Sequence, residues 1–257
     1  MTETTEASGS GSASPFDAWR GAWRFVMTAP LPFIATFIAL TASGLVAPLL
    51  FGNPTNLSRI IAMVAAQTVF DSLMLSSLAI FVHRFIVLGE INNQVLHTPF
   101  SRRFVSFYLN TVIWYAILYG VVWFFVAWIS GRVSVWYWFI LPFLLIILLF
   151  RLLLFFPARA LDSRSATWRN ADSDAHGHTI WIALLVIVTA LPNIAFFGAQ
   201  AWLEIRYDVP SPTGAGWYLS TALQSFNLTV ATTVLAALVS RFYQELGAAL
   251  KRVPAEA

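Results

Sequence analysis

Two charged side chains sit inside long apolar runs of this chain: Asp71 and Arg151. Asp71 is the only formal charge between Ile60 and Val82. A carboxylate at the centre of a bilayer costs about 2.5–3.5 kcal/mol on insertion scales, so it faces the bundle interior or is protonated. Such a group can hold a proton or a cation, or it can be a neutral acid hydrogen-bonded to Gln67 or Thr68 one helical turn earlier. Arg151 lies eight residues before Arg159, about 12 Å above that boundary at the helical rise. Asp71 lies 13 residues before Arg84, about 20 Å up by the same rise. The offset of roughly 8 Å is within reach of an Asp71–Arg151 pair if the two helices are neighbours. Otherwise Arg151 snorkels alone to the headgroups.

The other polar residues within apolar runs are His83, Asn110, Asn193, Gln200, Gln224 and Asn227. Most suit interhelical hydrogen bonds, each worth about 0.6 kcal/mol on average. The run from Asp172 to His178, DSDAHGH, carries metal-ligand types, but a short hydrated turn supplies neither fixed geometry nor a second shell. No metal site and no cofactor is expected. GxSxG, HExxH and P-loop motifs are absent, and the expectation is of no catalytic activity.

The elements that must position these groups follow from composition. Of 257 residues 58% are hydrophobic and 11% charged, and mean hydropathy is +0.72. Soluble domains carry about 25% charged residues. Apolar surface on this scale requires the bilayer as solvent. The pI near 9.5 does not signal nucleic-acid binding, because the arginines are dispersed at the ends of apolar runs. Six runs read as transmembrane helices: Phe25–Phe51, Leu57–Val87, Phe104–Trp128, Val135–Phe156, Thr179–Trp202 and Trp217–Phe242. Pro30 and Pro32 are placed to kink the first. Pro157–His178 reads as the longest polar loop. Residues 1–13 read as a disordered tail, 14–247 as the membrane domain and 248–257 as a basic tail. From Ser14, an N-cap followed by Pro15, a short helix is expected to lie in the membrane interface before the first span.

With six spans, twelve of the fifteen basic residues fall on the side of the two termini and three on the other, which predicts both termini in the cytoplasm. The fold class is therefore an all-α, polytopic six-span bundle, multi-pass in a bacterial inner membrane. Membrane lipids are the expected partners, with anionic headgroups at the arginine-rich face.

Two segments carry a resemblance. His83-Arg84-Phe85-Ile86-Val87-Leu88-Gly89-Glu90 closes the second span. Arg151, then Pro157-Ala158-Arg159-Ala160-Leu161-Asp162 and Ala166-Thr167-Trp168-Arg169, closes the fourth. This order resembles uncharacterised six-helix bacterial inner-membrane proteins, similar to the membrane domain fused to some glycerophosphodiester phosphodiesterases. The resemblance implies an integral membrane protein and supplies no catalytic residues. The functional expectation is a structural, interaction or lipid-contacting module. The alternative is a small transporter or channel using Asp71, and a polar cavity reaching that carboxyl would favour it.

Overall fold

A computed structural model describes residues 13–51, 57–90, 102–129, 149–206 and 214–251. Every element among them is a helix: α1 (Pro15–Thr28), α2 (Pro30–Phe51), α3 (Leu57–Leu88), α4 (Arg102–Ile129), α5 (Phe155–Ala160), α6 (Trp168–Ala175), α7 (Thr179–Arg206), α8 (Ala215–Leu246) and α9 (Ala248–Lys251). Four are long and apolar enough to cross a membrane, over Pro30–Pro48, Ala62–Leu88, Thr179–Glu204 and Ala215–Leu246. Their outward faces are apolar and unburied: Ile34 and Ile38 on α2, and Leu184, Ile187, Leu191 and Ile194 on α7, are exposed. Faces of this kind are stable against lipid and costly against water. The chain is thus an all-helical bundle compatible with a multi-pass membrane protein. The expected fourth span falls mostly outside the described residues, as do the turns at 52–56 and 130–132, the tail at 1–12 and the end of the chain from 252.

α8 is the hub, packing against α1, α2, α3 and α7. It runs alongside α3 in the same direction, since Ser240 meets His83 and Gln244 Nε2 donates to the Ile86 carbonyl at 3.3 Å. α7 runs the opposite way, with Trp181 against Phe242, Asn227 against Asn193 and Gln200 against Ser220. The sequence of α8 shows why it suits the centre. Thr221, Ser225, Thr229 and Thr233 recur every four residues. Each returns its hydroxyl to the carbonyl one turn earlier, at 2.7–2.9 Å. The result is a narrow face with satisfied hydroxyls, against which neighbouring backbones can pack.

The expected interfacial helix packs differently. Ser14 caps α1, accepting from Asp17 N at 3.1 Å, and Pro15 takes the first helical position. Ala18, Ala22 and Phe25 are buried, and Gly21 lies against Ala237 and Ile86. α1 therefore runs antiparallel along α8 as part of the bundle. The break between α1 and α2 falls at Ala29, the residue that Pro30 pushes out of helical geometry.

The expected polar loop at 157–178 is also corrected. It holds α5 and α6, which fold under the end of the bundle. Phe155, Ala158, Ala171 and Ala175 join Leu78, Val82, Leu238 and Phe242 in one buried core. The small apolar residues are too widely spaced among charges to read as a helix face in the sequence alone. α6 ends at Ala175, and the turn after it passes through Gly177, whose φ of +81° is a conformation that favours glycine.

The start of the expected C-terminal tail is held in place too. The Asp174 carboxylate accepts from Ala249 N at 2.8 Å and from Leu250 N at 2.9 Å, satisfying amides at the start of α9. Ser163 and Ser165 both donate to the Leu250 carbonyl. Replacing Asp174 with alanine is expected to cost about 0.5–2 kcal/mol, the range for a lost helix cap. Amide exchange at Ala249 and Leu250 would accelerate while the α3–α8 core keeps its protection.

Candidate functional site

Asp71 stands halfway along α3, level with Leu228 of α8, at the end of a cavity of about 340 Å³. Three helices build its walls. α2 gives Leu40, Gly44 and Pro48; α3 gives Gln67, Thr68 and Asp71; α8 gives Trp217, Thr221, Gln224 and Ser225. The period of 3.6 residues puts Gln67, Thr68 and Asp71 on one face of α3, and Thr221, Gln224 and Ser225 on one face of α8. Ser43 of α2 is the side chain that hydrogen-bonds the carboxyl. Asp71 Oδ1 has no hydrogen-bond partner. The volume lies within the range of small-molecule sites.

Beyond Asp71 much of both helices is buried: Leu75, Ser76, Leu78 and Val82 of α3, and Thr229, Thr233, Val234 and Leu238 of α8. The cavity's lining runs from the level of Trp217 to that of Asp71 and Leu228 at mid-bundle. Its described lining holds one carboxyl and no basic side chain, so it suits a proton, a small cation or a neutral hydrogen-bonding solute and disfavours an anion.

Arg151 does not reach it. Its Nη1 pairs with Asp172 of α6 at 3.1 Å, and its Nε donates to Thr179 at the start of α7 at 3.0 Å. Neither the pair with Asp71 nor a lone snorkelling arginine describes this. The sequence does not show it, because Asp172 comes to Arg151 only when α6 folds under the bundle. Both partners are about a third to a half exposed (31% and 47%), so the pair is worth only about 0.2–1 kcal/mol. A double-mutant cycle of Arg151→Leu with Asp172→Asn should show coupling of that size. The cycle of Arg151→Leu with Asp71→Leu should be additive within about 0.5 kcal/mol, as for distant sites.

The remaining polar residues serve packing. His83 is buried, with Nδ1 2.7 Å from Ser240 Oγ. The Ser240 hydroxyl gives its proton to the Ala236 carbonyl at 2.8 Å, so the proton between it and His83 sits on Nδ1. Asn110 Nδ2 returns to the Ser106 carbonyl on its own helix, at 2.6 Å. Asn227 Nδ2 donates to the Asn193 carbonyl at 3.2 Å, joining α8 to α7. The Asn193 side-chain amide is buried without a partner for Nδ2. In the 172–178 run, Asp172 is held by Arg151 and Asp174 by α9, while His176 and His178 are exposed. Among the described residues no three His, Asp or Glu side chains converge as metal ligands.

Sequence reading missed Ser43, Gly44, Thr221 and Ser225 as neighbours of Asp71. The every-fourth-residue hydroxyls of α8 were visible, but which helix they faced was not. Compared with protein-family models, with curated proteins and with solved structures, the chain matches none.

Proposed function

We propose that this chain is a small membrane transporter that moves a proton or small cation, with Asp71 as the group that binds it and no catalytic activity of its own. The observation that carries this is the polar cavity that runs to mid-bundle and is lined there by the Asp71 carboxyl, whose buried Oδ1 has no hydrogen-bond partner. A module that only packs or anchors has no use for such a cavity, and an unsatisfied buried acceptor costs about 1–3 kcal/mol unless a ligand or water meets it. In this reading the chain spans a bacterial inner membrane six times with both termini in the cytoplasm, as the arginine distribution favours. The cavity then faces outward, and the packed layer below Asp71 is the inner gate. Kinship with the six-helix inner-membrane group, suggested by the segments at 83–90 and 157–169, fits the same placement without adding an activity.

The test is flux. Purified chain is reconstituted into phosphatidylethanolamine–phosphatidylglycerol vesicles, and proton, sodium, potassium and tetramethylammonium gradients are imposed in turn. One of them should dissipate with wild-type chain and persist with Asp71→Asn. The proposal fails if wild-type vesicles hold all four gradients, or if Asp71→Asn conducts as wild type does.

A further inference from the structure

A second recess follows the Asp71 cavity along the α3–α8 pair. The two helices run in the same direction, with His83 beside Ser240 and Ile86 beside Gln244, an offset of 157 to 158 residues. An offset of 157 sets Asp71 level with Leu228, and Leu75 level with Thr232. The cavity already described reaches Asp71 and Leu228. The second recess, of about 120 Å³, begins one turn further along at Leu75 and Thr232 and reaches His83 and Val239, with Phe107 and Thr111 of α4 on its side. Between the two lie buried hydroxyls at matching levels, Ser72 with Thr229 and Ser76 with Thr233, and Ser76 Oγ has no hydrogen-bond partner.

His83 is 2% exposed and uses only one ring nitrogen for packing. With the proton toward Ser240 on Nδ1, Nε2 is an acceptor, and among the described residues it has no hydrogen-bond partner. A neutral imidazole with one nitrogen free takes up a proton and gives it back near neutral pH. Its surroundings leave that role open. α8 presents Ser240, and α4 presents Phe107 at 6.1 Å between ring centroids. The Tyr115 phenol is the other titratable group in the described lining, which includes neither a carboxylate nor a cation. Arg84, next in the chain, is engaged by Glu90 and the Ala160 carbonyl. A sodium or potassium ion needs a shell of oxygen ligands to replace its water, which these mainly aromatic and aliphatic walls do not supply. A proton needs only a base and water, and the recess has room for about four waters at roughly 30 Å³ apiece.

We infer that His83 is the second proton-binding group of the path and that the ion transported is a proton. The inference rests on the transport reading and narrows it. Asp71 and His83 lie 12 residues apart on α3, about 18 Å at the helical rise, too far for direct transfer. The O–H bond of protonated Asp71 breaks, the intervening hydroxyls and water in the recess pass the proton on, and an N–H bond forms at His83 Nε2. The imidazolium keeps its Nδ1–H on Ser240. It is neutral again when Nε2 gives its proton to water toward the end of α3, about 8 Å further along at Leu88.

The experiment separates protons from metal cations. The full chain is reconstituted in phosphatidylethanolamine–phosphatidylglycerol vesicles loaded with a pH-sensitive dye, and proton, sodium and potassium gradients are imposed one at a time. Wild type should pass protons and hold sodium and potassium. His83→Gln can still donate to Ser240 but takes up no proton, so it should slow proton entry roughly a hundredfold, as loss of a positioned proton-transfer group does, with its melting temperature kept. Thr232→Leu crowds the recess from α8, leaves both titratable groups in place and should also slow entry; it decides the matter if His83→Gln does not fold. If wild type passes sodium or potassium in place of protons, transport stands and this inference is overturned. It is overturned too if Asp71→Asn blocks protons while a folded His83→Gln, or Thr232→Leu in its stead, conducts as wild type does. Wild-type vesicles that hold every gradient sink both readings.

Discussion

Asp71→Leu is expected to abolish flux and, in the same protein, to leave the bundle at least as stable as wild type. The two effects have one cause. A carboxyl at mid-bundle carries an insertion cost of about 2.5–3.5 kcal/mol, and leucine removes it. Against this stands the loss of the Ser43 contact. A serine hydroxyl in a helix can turn to the carbonyl one turn earlier, so little of that contact's worth is forfeited. The balance favours leucine. Stability kept at the expense of a cavity group is the pattern expected where function holds a residue that folding does not need. Thermal unfolding in detergent and vesicle flux, measured on one preparation, decide the matter. If Asp71→Leu melts well below wild type, the carboxyl is a packing group.

The second large effect is expected at Gly44, where α2 crosses α8. A Cβ at this position would lie 2.7 Å from Thr221 Cγ2, closer than side chains tolerate. Thr221 cannot turn away cheaply, because it is β-branched and its hydroxyl is bonded to the Trp217 carbonyl at 2.9 Å. Gly44→Ala therefore separates the helices and narrows the cavity that both residues line. Overpacking of this kind costs about 1–3 kcal/mol, which outweighs the gain of about 0.8–1.0 kcal/mol from replacing glycine in a helix. Thr221→Ser removes the offending methyl and keeps the hydroxyl. The double variant should regain the loss and become more stable than Gly44→Ala alone by at least about 1 kcal/mol. Additive effects of the two changes would mean that the helices do not touch at this point.

Much of this protein was legible because the bilayer restricts what a sequence can do. Long apolar runs must become helices when backbone groups have no other partners, and α2, α3, α7 and α8 begin and end within a few residues of the runs read from composition. Caps and breakers act over a single turn, so Ser14, Pro15 and the break at Pro30 were equally open to reading. Asp71 stood out for the same reason, as a charge where charge is expensive.

What the sequence left open were matters of distance between segments. α3 holds the costly carboxyl, and it shares the centre with α8, which packs against α1, α2, α3, α5 and α7. Hydroxyls at every fourth position mark a close-packing face without saying what packs on it. Spacing along a helix gives Arg151 a depth, but depth is one coordinate, and a partner is chosen in three. Asp172 won because α6 folds back beneath the bundle. That fold rests on Ala171 and Ala175, two small residues whose burial depends on Leu154, Phe155 and Leu250 arriving from elsewhere in the chain. The sequence by itself determined the solvent, the helices and the presence of a costly acid. Only the tertiary structure decided that the acid faces a cavity instead of an arginine, because that choice depends on which faces of α2 and α8 are turned toward it.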